Sequence, residues 1–405
     1  MIDTHDNQLL ASGLPIFFAV ADFDECDLSS PSNRHGQTVR TWARSLSGMQ
    51  KEALVLSLRS GKAWRLASDE GPYLNGHDTA PCPLSFLTTG MIASTMDEIL
   101  AVSRQRGITI REIVLVQDNF YTMEGSALKG TMVGGALPIE LEVQIDCDAD
   151  DDALDEMLLH AVKASPLIGF ITQIHRSLFT LTVNEDEIGV EGVGSIDAPA
   201  ERDSRDWSAA VLPRDENKNC DDLVTRLETV EPVKNAPGGA GSSLKATQSR
   251  QLHIRGTCRS RPDGVKEIRQ ELFSSLGSTF MFLSDESEEF GGRGVAPDAM
   301  SYAAAGIAFC FMTQLGRYAN ITKKRLDGYR VIQDSHFSVG SASGGNGAAG
   351  SADAIETHVY LDTPEGSDFA RTALDMGEQT CFLHALCRSE LETKIVTTRV
   401  GRTPD

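Results

Sequence analysis

Two cysteines and a histidine toward the carboxyl end carry the chemistry that this sequence could do. Cys310 closes the stretch PDAMSYAAAGIAFC, and Cys381 and His384 lie in GEQTCFLHAL. A thiol attacks peroxides or other electrophiles as the thiolate, and an unperturbed thiol near pKa 8.5 is mostly protonated at neutral pH. Cys310 falls in the middle of an apolar helix, where the helix dipole helps little, so a lysine or arginine must reach it from elsewhere. His384, three residues after Cys381, shares one side of a helix with it; it could support a thiolate or accept a proton, or be a satisfied core histidine. Cys387, about 240° round the helix from Cys381, is not placed to pair with it. The opposing reading of Cys310 and Cys381 is packing, because free cysteine is often buried as a small hydrophobe.

The elements that must position these residues are revealed by an internal repeat. WRLASDEGPYLNGHDTAPCPLSFLTTGMIAS (64–94) lies over FMFLSDESEEFGGRGVAPDAMSYAAAGIAFC (280–310) without a gap, at an offset of 310 − 94 = 216. Identities fall at Ser68, Asp69, Glu70, Gly76, Ala80, Pro81, Ser85 and Gly90, and the offset persists from Gln117-Asp118 to Gln333-Asp334 and from ELEVQID to ETHVYLD. Self-similarity at one long period indicates a tandem duplication. It sets Cys310 opposite Ser94 and Cys381 opposite Ser165, so one half carries two thiols where the other carries two hydroxyls. If the helices pack as partners in one core, the two thiols approach to disulfide distance. A serine nucleophile would need a nearby base, and the local sequence offers none.

Each half reads as an alternating strand region, a Gly/Pro loop, a buried helix, a strand pair, an acid-led helix and a last strand. Helices that are few and central make this α+β rather than doubly wound. The expected divisions are an extension over 1–37 with a short strand or lid, a first unit over 38–190, a linker over 191–249 and a second unit over 250–405. The Gly/Ser-rich tract 340–352 has no GK[ST] and reads as a hairpin tip, not a phosphate loop. DCDADDDALDEM fails as a calcium loop, lacking glycine at Asp151 and glutamate at Met157, and reads as acids favoured in a helix first turn.

A net charge of −21 and a pI near 4.8 argue against nucleic-acid and anionic-membrane partners. No signal peptide is evident at the start, and no apolar run is read as spanning a bilayer. Eight cysteines in 405 residues without such a signal are not a disulfide framework, so a reducing cytoplasm is the expected setting. No Cys/His cluster has zinc-ligand spacing, and no metal or cofactor is expected.

GEQTCFLHAL resembles the E-x-x-C-P-[VI]-[SH]-x-x-L signature of OsmC/Ohr-like proteins, and its first-half counterpart VKASPLIGFI keeps the proline as Pro166. PDAMSYAAAGIAFCFM resembles the Pro-led, Ala/Gly-rich helix that ends in that family's other cysteine. These matches cover most of 250–405, with a degenerate copy over about 50–190. The resemblance implies two units whose antiparallel sheets wrap around central helices, here a pseudo-dimer within one chain. It also implies thiol-dependent reduction of organic hydroperoxides, with Cys310 peroxidatic and Cys381 resolving. The family's activating arginine lies in the loop before the first helix, where this chain offers Arg293; Arg40, Arg44, Arg59 and Arg65 are rivals from the first half. His384 matches the histidine variant of the signature. The expected partners are a small hydrophobic hydroperoxide and a thiol reductant, and pseudo-dimers could assemble further.

Two other functions are open on the residues alone. One is a hydrolase or transferase with a cysteine nucleophile and His384 as base. The other is a non-catalytic scaffold that binds a small apolar ligand or a partner protein, its cysteines merely packed.

Overall fold

The computed structural model describes residues 7–32, 34, 36–214, 223–230, 248–274, 276–340 and 349–401. The first half runs β1 (Gln37–Ser45), β2 (Lys51–Ser57), β3 (Lys62–Ser68), α1 (Pro83–Arg106), β4 (Ile110–Gly125), β5 (Ile139–Cys147), α2 (Asp151–Ala164), α3 (Pro166–Ile171) and β6 (Ser177–Val183). The second runs β7 (Gln248–Ser260), β8 (Lys266–Ser274), β9 (Thr279–Ser284), α4 (Ala299–Thr322), β10 (Gly328–Ser338), β11 (Ile355–Asp362), α5 (Ser367–Thr380), α6 (Phe382–Cys387) and β12 (Thr393–Arg399). Both ends of α1 and α4 are separated by 216 (299 − 83 and 322 − 106), and α2/α5, α3/α6 and β6/β12 keep the same spacing at both ends.

The strands are exchanged between the halves. One sheet has the order β3-β2-β1-β10-β11-β6 and the other β9-β8-β7-β4-β5-β12, so each takes three strands from one half, two from the other and a last strand from the first. Neither half makes a sheet by itself. The sheets are mostly antiparallel, as expected, but β6 joins β11, β12 joins β5, and Gly194–Ser195 joins β6 in parallel. α2–α3 carries the chain from β5 to β6 and α5–α6 carries it from β11 to β12, in each case from one sheet to the other, so the β6–β11 and β12–β5 pairs each join strands of different halves.

The two long helices form the core. Nearly every residue of α4 is buried, because Ala303, Ala304, Ala305 and Gly306 let it be enclosed on all sides. By length and composition alone α4 would pass as a membrane span, against the expectation that no stretch would, yet its most apolar segment is wholly buried inside the protein. Asp298 caps it by accepting the Ser301 N–H at 2.8 Å. Similarly Asp150 caps α2 by accepting the Ala153 N–H at 2.9 Å, so the acidic run serves a helix start.

α1 and α4 cross at glycines related by the offset. A Cβ on Gly90 would stand 2.5 Å from Ala299 O, and one on Gly306 would stand 2.8 Å from Leu87 N and 3.1 Å from Pro83 O. The contact is therefore reciprocal, residue for residue, as in a two-fold interface.

The amino-terminal extension contributes a two-residue strand, Phe18–Ala19, on the edge of β3. The expected linker is more structured than its composition indicates. Gly194–Ser195 pairs with β6, Val224–Glu228 pairs with β9, and Trp207 is buried. A few edge hydrogen bonds and one aromatic anchor suffice to fix such segments, and none of them shows as hydrophobic periodicity. The proposed hairpin tip falls largely on 341–348, outside the described residues.

The crossing predicts that Gly90→Ala and Gly306→Ala each lower the free energy of unfolding by about 1–3 kcal/mol through overpacking. Gly189→Ala, where an added Cβ meets no atom within 4 Å, should stay within about 0.5 kcal/mol of wild type. Urea denaturation of the three variants checks this.

Candidate functional site

The position of each second cysteine or serine is set by a break in the chain. Cys381 is not inside one continuous helix, as the sequence reading had it; it is extended (φ −72°, ψ 123°) between α5 and α6, and its Sγ accepts the His384 N–H at 3.4 Å. Ser165 holds the same conformation and its Oγ accepts the Ile168 N–H at 3.4 Å. In the first half Pro166 enforces the break, since the residue before proline is pushed out of the helical region. In the second half Phe382 stands there instead, and glycine seats stabilise both breaks. A Cβ on Gly134 would lie 2.8 Å from Thr380 O, and one on Gly350 (350 − 134 = 216) would lie 2.4 Å from the carbonyl carbon of Ser165.

The breaks bring the paired residues together. Ser94 Oγ and Ser165 Oγ are 2.8 Å apart, and the Cys381 side chain lies near enough to Cys310 to act on its thiol. Both cysteines are buried, and all seven described cysteines are free thiols. Burial pushes the Cys310 thiol well up, and the Cys381 and Glu70 side chains push it further.

Cys310 opens on a cavity of about 30 Å³, room for a water-sized guest. Thr313, Gln314 and Arg317 line it from the same face of α4, Glu70 and Tyr73 from the loop after β3, and Arg250 from β7. Glu70 accepts hydrogen bonds from Tyr73 OH at 2.7 Å and Thr313 Oγ1 at 3.2 Å. Burial raises its carboxyl, while Lys51, the Tyr73 hydrogen bond and Arg317 pull the other way. Burial lowers Arg317, and the neighbouring Glu70, Cys310 and Tyr73 groups oppose that shift. Arg250 is brought down to about 9 by burial and by the Arg317 charge.

Arg293 is not at this cavity. Its Nη1 pairs with Asp263 at 2.8 Å, and its side chain is 54% exposed. Strand exchange explains the displacement: the loop after β9, which carries Arg293, closes over Ser94, whereas the loop after β3 closes over Cys310. The rival arginines are occupied elsewhere, Arg40 with Asp334 and Glu201, Arg44 and Arg65 with Glu52, and Arg59 over the Phe290 ring beside Ser94. Sequence reasoning missed Arg317, Glu70, Tyr73 and Arg250. Arg317 had a signal, seven residues and two turns after Cys310, and Glu70 was already an identity column of the repeat.

His384 belongs to the core. Its ring sits between Phe179 and Phe311, at centroid distances of 5.8 and 5.5 Å, and neither ring nitrogen has a hydrogen-bond partner among the described residues. Burial lowers its pKa from 6.5 to about 4, so it is neutral at physiological pH. Its backbone N–H donates to Cys381 Sγ, whereas its ring nitrogens have no hydrogen-bond partner among the described residues. Cys387 Sγ bonds within α6 to Leu383 O at 3.8 Å, and burial raises that thiol to about 12.

Fold and site together define a two-unit, strand-exchanged α+β protein with one buried thiol pair and one buried hydroxyl pair. No family model matches the chain, and no curated protein matches it. Among solved structures it is similar to an OsmC-like hydroperoxide resistance protein from Jannaschia sp. CCS1, at 19% identity and a TM-score of 0.25, covering 38% of this chain and 99% of that one.

His384 makes a prediction about acid stability. Its folded pKa lies below its ordinary one, so the unfolded chain binds the extra proton and stability falls as pH drops from 6.5 toward 4. Replacing it with leucine should remove up to about 3 kcal/mol of that loss. Urea midpoints of wild type and His384→Leu at pH 7 and pH 4.5 should converge or invert in the variant's favour at the lower pH.

Proposed function

We propose that the chain is a thiol-dependent peroxidase of the OsmC/Ohr type, acting on organic hydroperoxides at a single site per chain. The observation that carries this reading is the nearness of Cys381 to Cys310 beside a cavity lined by Cys310, Arg317 and Glu70. The motifs around both cysteines support it independently. The His384-base reading has no such support, since that ring is enclosed by apolar groups.

In this reading Glu70 takes the Cys310 proton, and Arg317, with Arg250 beside it, supplies the positive charge that favours a thiolate over the burial that opposes it. The thiolate attacks the terminal peroxide oxygen, the O–O bond breaks, and the leaving alkoxide takes the proton back as alcohol. Cys310 is then a sulfenic acid. The Cys381 thiol attacks its sulfur, water leaves, and a Cys310–Cys381 disulfide forms, to be reset by a dithiol that supplies two electrons. Leu74, Leu84, Leu252, Leu272 and Phe382 line the same cavity and favour a hydrophobic hydroperoxide. The cavity as it stands is smaller than such a substrate, so the loop carrying Glu70 to Leu74 must yield on entry.

Exposure to cumene hydroperoxide followed by peptide mass mapping should show a Cys310–Cys381 disulfide and one peroxide consumed per bond. Cys381→Ser should stop at the sulfenic acid. Arg317→Gln should slow the first step about 10- to 100-fold, one to two pKa units of lost thiolate, with Arg293→Gln at the wild-type rate. An oxidised protein with both thiols free, and both slow to alkylate, would identify the pair as packing in a non-catalytic scaffold.

A further inference from the structure

The cavity over Ser94 occupies the place that the thiol cavity has in the other half, yet its chemistry has been rebuilt. Its volume is about 100 Å³ against about 30 Å³ for the thiol cavity, room for a molecule of a few heavy atoms. Where α4 presents Thr313 and Gln314, α1 presents Asp97 and Glu98 (313 − 97 = 314 − 98 = 216), and where α4 carries Arg317, α1 has Ala101. Ser94 and Ser165 are hydrogen-bonded to each other, and a hydroxyl pair has no peroxide chemistry. What this cavity retains is a capacity to bind.

Two buried atoms of residues that line it lack partners among the described residues, and they are of opposite kinds. Asp97 Oδ1 accepts from Lys266 Nζ at 2.6 Å, but Asp97 Oδ2 has no donor among the described residues. Arg59 lies with its guanidinium 3.3 Å from the centre of the Phe290 ring and donates through Nη1 to Gln37 at 3.2 Å, while its buried Nε has no acceptor. A buried polar atom left unsatisfied keeps its desolvation penalty, which a ligand that pairs with it would relieve.

The neighbouring acids are differently placed. Asp285 is occupied by the backbone N–H groups of Arg293 and Val295, both at 3.0 Å, and Asp298 by its helix cap. Burial, then the charges of Asp97 and Asp298, push the Glu286 carboxyl up to about 8, against the opposing charges of Lys266 and Arg59.

We propose that this cavity binds a small zwitterion of the amino-acid class, its ammonium group at Asp97 and its carboxylate at Arg59. One molecule of that kind supplies the missing donor and the missing acceptor together, without adding net charge to a buried site. The inference is independent of peroxidase activity in the other half.

Calorimetric titration of the full chain with glycine, alanine and serine tests it, with propylamine and propionate as single-ended probes. Saturable binding of one amino acid per chain is expected, tighter than either single-ended probe. Asp97→Asn and Arg59→Gln should each weaken it about tenfold or more, the loss of one charge-assisted hydrogen bond, while Cys310→Ser leaves it unchanged. Should Asp97→Asn fail to fold by circular dichroism, Arg59→Gln and Glu286→Gln make the same comparison. The proposal is overturned if none of the three amino acids gives saturable heat, which would leave these atoms to water alone. It is equally overturned if propylamine binds as tightly as the amino acid, or if binding survives loss of Arg59 but not of Cys310.

Discussion

The crossing of α1 and α4 at Gly90 and Gly306 is the contact on which the rest of the structure depends. Backbone approaches this close tolerate no Cβ, so the two helices are fixed against each other by the absence of side chains. The crossing sets the first turn of each helix beside the middle of the other. Pro83 and Leu84 thus reach the cavity of Cys310, and Ala299 and Met300 reach that of Ser94. A shift of either helix would change both cavities together.

Strand exchange then makes each site a product of both halves. Glu70 and Tyr73 of the first half close over Cys310 of the second, and Glu286 and Phe290 of the second close over Ser94 of the first. Two identical subunits arranged this way would have to carry the same residues in both sites, because a two-fold interface repeats every contact. Joining the units in one chain lifts that constraint. The packing positions at the offset of 216 keep their glycines, while the site positions have diverged from cysteine to serine and from Thr313 to Asp97.

The same distinction explains what could be read from the sequence. The element order, the two buried helices and the nearness of Cys310 to Cys381 were legible because burial and close packing restrict residue type, and the repeat showed the restriction twice. The break at Cys381 was hidden because Phe382 replaces the proline that would have marked it; the glycine that leaves room for it, Gly134, is distant in sequence. Arg293 was sought in the loop nearest Cys310 along the chain. Strand exchange carries that loop to the opposite cavity, and no local pattern encodes which half covers which. Glu70 was visible as an identity but not as a neighbour of Cys310, and Trp207 and the short edge strands are held by a few contacts that leave no periodic trace.

The electrostatics of the thiol cavity follow from how desolvation is shared. Taken singly, burial disfavours the thiolate of Cys310, the carboxylate of Glu70 and the guanidinium of Arg317. Taken together they are not independent, since a charge at Glu70 or Cys310 offsets part of the cost of burying Arg317, and Arg317 offsets part of theirs. A proton moving from Cys310 to Glu70 therefore exchanges one anion beside Arg317 for another and leaves the net charge of the cavity unchanged. The barrier to forming the thiolate is then set by the difference between two anions facing the same cation, which is smaller than the cost of creating one buried charge from none.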